Sequence, residues 1–256
     1  MRTSRAVICI FGLFVCAAWG QSKPRARDLG VPFDGTPGPL NAIPDVKGVE
    51  VGHTTLISGE GKLKVGVGSV RTGVTAFLPR GKNSLDPVVA GVFSLNGNGE
   101  MTGAHWVEDS GFLDGPVMIT NPHSVGVVRD AVIAWRVKRA PPDQEGYSWS
   151  LPVVAETSDD DLNDMNGFHV KAEHVFQALN SAVGGPVLEG NVGAGTGMTC
   201  NEFKGGIGKL ISQGRCKIWR ICGWSPRAMQ LRLEEPIEDR RCSGWPRDHR
   251  AHDARR

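Results

Sequence analysis

A layered α+β domain is what this sequence predicts, and three observations carry that expectation. Short β-branched and apolar runs of strand length recur, bounded by Gly and Pro. Two longer stretches instead repeat apolar residues at three- and four-residue steps. The two kinds do not alternate strictly, which favours layered packing over a nucleotide-type sheet. A chain of 256 residues is long enough for one large domain with a substantial core.

Residues 22–39 are rich in Pro, Gly, Lys and Arg and read as an extended lead-in. Residues 49–55 and 72–78 are strand candidates. Residues 88–95, Val-Val-Ala-Gly-Val-Phe-Ser-Leu, form a continuous apolar run and predict a strand buried on both faces. Residues 116–120 are a further short strand. The spacing predicts a helix over 124–139, with Ser124 as cap, Val125, Val128, Val132 and Trp135 as its apolar stripe, and Pro141-Pro142 as its stop. Residues 151–157 are again strand-like. A second helix is expected over 171–183, with Val175, Phe176, Leu179 and Ala182 facing inward and Gly184-Gly185 closing it.

The two ends differ from this body. Arg2 and Arg5 precede an apolar run from Ala6 to Ala18 that is too short for a membrane span, and Ala18 and Gly20 are small. Residues 1–20 are therefore expected to be a signal peptide cut after Gly20, and the protein to be exported, periplasmic or secreted. A lipoprotein signal around Cys16 is disfavoured by the bulk of Val15. With Cys9 and Cys16 in the signal and Cys216, Cys222 and Cys242 near the other end, Cys200 is the one cysteine of the body. No disulfide framework is expected. From Lys209 onward there are 12 Lys/Arg against 6 Asp/Glu, but the asymmetry is traced below to the tail's origin and not to a nucleic-acid arm.

Several motifs invite chemistry. Gly193-Ala-Gly-Thr-Gly197 could cradle a phosphate, but no clean strand precedes it and neither Lys-Ser/Thr nor a ribose-binding acid follows. His169 and His174 are five apart, off a common helical face, and read as structural, not as metal ligands. Asp159, Asp160, Asp161 and Asp164 lack the alternating spacing and central Gly of a calcium loop, and read as a solvated turn. Ser94-Leu-Asn-Gly-Asn-Gly-Glu100 places hydrogen-bonding residues, Asn98 and Glu100 among them, at the end of an apolar strand, where sites are built. Glu156 ends another apolar strand; it is either half-buried with a partner or placed for a cationic ligand.

The chain resembles a known family through Ala26-Arg-Asp-Leu-Gly-Val, Pro122-His-Ser-Val-Gly-Val-Val-Arg-Asp-Ala-Val132 and Pro152-Val-Val-Ala-Glu-Thr157. Leu162-Asn-Asp-Met-Asn-Gly-Phe-His-Val170, Glu189-Gly-Asn-Val-Gly-Ala-Gly-Thr-Gly-Met198 and Phe203-Lys-Gly-Gly-Ile-Gly208 extend it. Together they cover about residues 26–208 and are similar to the DmpA-type L-aminopeptidase/D-amidase-esterases. The resemblance implies a four-layer αββα sandwich of the DmpA/ornithine acetyltransferase-like type. It implies a precursor that cuts itself to expose an amino-terminal serine nucleophile, and release of amino-terminal residues from small peptides, amides or esters through an acyl-enzyme. It implies no cofactor or metal, and a homo-oligomer. Glu156 matches the residue that holds the substrate's ammonium group. Ser158 stands where the family usually has an aromatic residue that helps the oxyanion, so that contribution is expected to be missing.

After Gly208 the resemblance stops. Residues 209–256 are rich in Arg, Trp and Cys without period 2 or 3.6. Read one base on, with synonymous codons chosen freely, residues 209–213, 221–231 and 241–246 can encode family-like stretches. The expectation is a frameshifted tail, an incomplete carboxyl-terminal part with unpaired sheet edges, and no turnover by this chain. The oxyanion Asn would fall at about Gln230 or Leu231 and the nucleophile beyond Arg256. Two other readings stay open: a non-catalytic exported protein that binds a small peptide or amino acid through the Glu156 pocket, and the ornithine–glutamate acetyl transfer of a related sandwich, which the motifs and the export signal disfavour.

Overall fold

In the computed structural model, residues 24–32, 35–84, 86–94, 97–139, 149–200 and 202–208 are described, with the backbone alone of 218–221 and 227–232. The proposed signal peptide, the Pro141-Pro142 stop and most of the tail lie outside the described residues. Two units are distinguished, the first ending at Asp34. Its described part is coiled and not extended: the Arg25 N–H donates to Asp28 Oδ2 at 2.8 Å, and the Val31 N–H reaches the Ala26 carbonyl at 3.0 Å.

The second unit is built around a mixed sheet of β1 (Glu50–Ser58), β2 (Val70–Leu78), β5 (Val117–Thr120) and β6 (Val153–Glu156), in the order β1-β2-β5-β6. The first two junctions are antiparallel, whereas β5 and β6 run parallel with Thr120 opposite Glu156. A parallel pair needs a long crossover, and α2 (Val125–Arg139) supplies it.

Period-2 alternation sends each strand's side chains into two cores. Val74, Ala76 and Leu78 of β2, Met118 of β5 and Val154 of β6 pack under α2 and α3 (Ala172–Asn180). Phe77, Val117, Ile119, Val153 and Ala155 point the other way, onto a second sheet. That sheet contains β3 (Val88–Ser94) and β4 (Phe112–Leu113), whose Val88, Ala90 and Leu113 share the inter-sheet core with Ala104 and Val107 of the short helix α1 (Ala104–Ser110). Helices, sheet and sheet are thus stacked in the α+β manner expected, and these are the layers seen among the described residues.

Both predicted helical stripes are borne out: Val125, Val128, Val132 and Trp135 are buried, as are Val175, Leu179 and Ala182. Phe176 is only partly covered, with the Lys138 ammonium 5.2 Å from its ring. Four local expectations are corrected. The chain enters α2 through a 3-10 turn, Pro122–Ser124, with Pro in its first turn and Ser124 buried, so entry occurs at Pro122 and not at a Ser124 cap. Helix α3 stops at Asn180, short of Gly184, because Val183 pairs with Val51 of β1. The strand buried on both faces is β2 and not β3, whose Phe93 is 63% exposed at its outer end.

The fourth correction concerns the tail. Its backbone forms two strands, β9 (Ile218–Ile221) and β10 (Arg227–Arg232), and β10 pairs antiparallel with β3, so that the second sheet reads β4-β3-β10-β9. Of the unpaired sheet edges expected, the one beside β3 is thereby occupied, because backbone pairing places few demands on side-chain pattern. A small hairpin of β7 (Thr199–Cys200) and β8 (Phe203–Lys204) completes the described strands.

Candidate active site

Glu156 lies at the carboxyl end of β6, beside the end of the parallel strand β5, a position where open sheets collect their ligands. A second loop reaches it by backbone pairing. The Thr102 N–H donates to the Val154 carbonyl at 3.0 Å, the Thr102 hydroxyl to the Pro152 carbonyl at 2.7 Å, and the Val154 N–H returns a bond to the Thr102 hydroxyl at 3.0 Å. Met101 bridges to Ala155. Glu100 is thereby set against Glu156, and its backbone N–H donates to the Glu156 carboxylate.

Glu156 is half-buried, and burial holds its carboxyl above the usual value. The Glu100 N–H opposes that shift, the Glu100 carboxylate adds to it, and His123 at the end of β5 opposes it again. Such a carboxylate is under-neutralised: a cation docked here would relieve the repulsion with Glu100. Among the described residues, no group of three or more His, Cys, Asp or Glu side chains could hold a metal ion.

The other residues singled out from sequence are placed differently. Asn98 is exposed on the same loop, two residues before Glu100. Ser158 is exposed, and its hydroxyl donates to Asp160 instead of projecting freely. Backbone strand β10 carries Gln230 and Leu231 opposite Gly91 and Ala90. Two site neighbours escaped sequence reasoning. His123 belongs to a resemblance motif but was given no role, and Phe168 stacks on its ring with centroids 5.8 Å apart and planes 19° off parallel.

Behind the strand ends lies a buried polar layer, which corrects the expected solvated turn: Asp160 and Asp161 are exposed, but Asp159 and Asp164 are buried and hydrogen-bonded. Asp159 is 1% exposed and accepts from Asn163 Nδ2 at 3.1 Å. Burial pushes its carboxyl up to about 6, with Asp160 adding to the rise and Thr72, Asn163 and Asn121 opposing it through hydrogen bonds. Asn121 Nδ2 in turn donates to the Thr72 hydroxyl at 3.0 Å.

The glycine-rich segment Gly193–Gly197 is fastened over this end of the sheet. The Gly193 N–H donates to the Thr55 hydroxyl at 2.9 Å, the Ala194 N–H donates to the Thr75 hydroxyl at 3.2 Å, and the Thr157 hydroxyl donates to the Ala194 carbonyl at 3.3 Å. A Cβ on Gly195 would meet the Ile207 backbone nitrogen at 2.3 Å. These glycines permit close backbone approach, and the first four amides a phosphate would use are already taken, those of Gly193 and Ala194 by threonines and those of Gly195 and Thr196 by backbone carbonyls. The two histidines are structural, as expected: His169 Nε2 bonds Asp164 Oδ2 at 2.8 Å, and His174 Nδ1 accepts the Lys171 N–H at the start of α3.

The chain is 60% identical to the beta-peptidyl aminopeptidase BapA of Sphingosinicella microcystinivorans, over 78% of this chain and 49% of that protein. It is 50% identical to the L-aminopeptidase D-Ala-esterase/amidase of Ochrobactrum anthropi, described as a prototype of the serine aminopeptidases and a variant of the Ntn hydrolase fold. That likeness has a TM-score of 0.64 and covers 71% of this chain and 51% of the other. The PH0078 protein of Pyrococcus horikoshii OT3 is 41% identical with a TM-score of 0.70, over 75% of this chain and 55% of the other. The chain spans about half the length of the curated relatives it matches. The pattern of peptidase family S58 matches residues 41–212, more than half of the sequence and the part that builds the Glu156 strand end, and the chain belongs to that family.

Proposed function

We propose that the gene encodes an exported serine-type aminopeptidase or amidase that releases amino-terminal residues from small peptides, amides or esters. The observation that carries the reading is Glu156: a half-buried strand-end carboxylate, crowded by Glu100, in a chain of the S58 family. Its excess negative charge suits the substrate's ammonium group. Glu100 adds a second acceptor at its edge, and Asn98 on the same loop offers an amide to the substrate backbone. The names of the curated relatives make β-peptides the first substrates to try.

In this reading the nucleophile is a serine carboxyl-terminal to Arg256, freed by self-cleavage of a longer precursor. Its hydroxyl oxygen attacks the scissile carbonyl carbon, the amine leaves with a proton, and water then hydrolyses the resulting ester. The oxyanion Asn belongs near Gln230 or Leu231 in the corrected frame, and Ser158 does not replace the aromatic residue usual at its position. The restored enzyme is a homo-oligomer that needs no metal or cofactor. The family match, which ends at residue 212, supports an out-of-frame tail. Signal cleavage near Gly20 and export rest on the sequence of the amino terminus.

The test starts with the coding DNA across codons 206–213. One extra or missing base, with a corrected frame running through the family motifs to a serine, supports the proposal. Expression of the corrected chain should then give two fragments and release of p-nitroaniline from amino-acid p-nitroanilides. A confirmed written frame, with specific binding of an amino acid by soluble protein, favours the non-catalytic binding protein instead.

A further inference from the structure

Phe168 is held in a way its own chemistry does not favour. Its backbone is left-handed, φ 52° and ψ 46°, a conformation uncommon for a bulky residue. The residue is 55% exposed and belongs to neither apolar core. Such strain persists only where the surroundings enforce it.

The enforcing contacts are on the preceding turn, Met165–Gly167. Asp164 is buried, and its Oδ2 is bonded to His169 Nε2 at 2.8 Å and accepts the Gly66 N–H at 2.7 Å. Its own N–H donates to the Ser69 carbonyl at 2.8 Å. A Cβ on Gly167 would lie 2.3 Å from both Asp164 Oδ2 and His169 Nε2, so the turn closes this tightly only with glycine there. Phe168 and His169 point to opposite duties: His169 is tied inward to Asp164, and Phe168 is turned out onto His123. His123 follows by three residues Thr120, which pairs directly opposite Glu156 where β5 and β6 end. An exposed aromatic surface therefore flanks the carboxylate assigned to the substrate's ammonium group.

We infer that Phe168, with His123 stacked on it, is the surface that recognises the side chain of the substrate's amino-terminal residue, and that it selects apolar and aromatic side chains. This rests on the reading of Glu156 as the ammonium site. An amine held at Glu156 leaves the Cα substituent within reach of the neighbouring ring face, where aromatic stacking adds to apolar burial.

The inference is tested on the 256-residue chain by calorimetric titration with L-phenylalanine amide, L-alanine amide and N-acetyl-L-phenylalanine amide. The phenylalanine amide is expected to bind up to about tenfold more tightly than the alanine amide. Phe168→Gly, which suits the left-handed backbone, should abolish that preference. His123→Ala, which leaves the turn intact, should weaken the preference in the same direction. Equal affinities in the parent chain, or a preference that survives Phe168→Gly, overturns the inference while Glu156 stands. If the N-acetylated compound binds as well as the free amine, or Glu156→Gln changes nothing, the ammonium site itself is wrong. Absence of binding by all three compounds removes both readings.

Discussion

A Cβ built on Gly197 would lie 1.9 Å from the carbonyl oxygen of Arg71, so these two backbone segments touch with no room for any side chain. The Arg71 carbonyl carbon and Asp159 Cβ follow, each at 3.0 Å. Gly197→Ala must push the glycine-rich segment off β2, and we expect a loss of about 3 kcal/mol or more in urea unfolding. Gly126 in α2 has open space around its would-be Cβ; Gly126→Ala should be neutral or gain up to about 1 kcal/mol. Equal effects of the two substitutions would contradict the close approach.

Asp164 gives stability an acid dependence. Its bond with His169 and the Gly66 N–H hold its carboxyl below the ordinary 3.8 in the folded chain. A depressed carboxylate contributes fully above that unfolded value, and the contribution disappears as pH falls through the folded value. The stability difference between the parent chain and Asp164→Asn should therefore be largest near neutral pH and shrink below 3.8. A difference that stays constant with pH would exclude the carboxylate as its source.

Asp159 works with the opposite slope. Its folded value of about 6 exceeds the unfolded 3.8, so the folded chain binds the extra proton between them. Stability attributable to this group falls as pH rises from 3.8 to about 6. Asp159→Asn keeps an acceptor for Asn163 and removes the charge. It should flatten that interval and stabilise the chain at neutral pH by up to about 3 kcal/mol. Unfolding midpoints across the interval decide it: a slope retained in the variant would assign the effect elsewhere.

Glu156 should make ligand affinity pH-dependent. Because burial raises its pKa, the carboxylate forms at a higher pH than that of an exposed glutamate. Binding of a cationic amino-acid amide should strengthen as pH rises until Glu156 is ionised, then weaken again as the amide loses its own charge. Glu156→Gln should remove the acidic limb and weaken binding by roughly tenfold to a hundredfold, the worth of a charged hydrogen bond. An unchanged acidic limb would mean that another group titrates.

Both long helices were legible because their stripes repeat with the helical period, and Val128, Val132, Val175 and Leu179 are all fully buried. Helix α1 was not. It spans Ala104–Ser110 between left-handed Gly103 and Gly111, too short to display a period. The true central strand was equally hidden. In β2, Thr72, Thr75 and Gly73 look like surface residues, yet β2 lies between two cores with its threonines engaged by Asn121, Ala194 and His53. The apolar run of β3 misled in the other direction, since only its first half is covered.

By itself the sequence determined the two long helices, most strands of the body, the family and the strand-end position of Glu156, because these depend on periodicity, turn residues and motifs read within short windows. Tertiary structure alone decided which distant residues share that strand end. Parallel pairing of β5 with β6 brings His123 beside Glu156, a bridge along β6 brings Glu100, and the Asp164 turn brings Phe168. No local pattern encodes those meetings, since each depends on hydrogen bonds and burial between segments far apart in the chain.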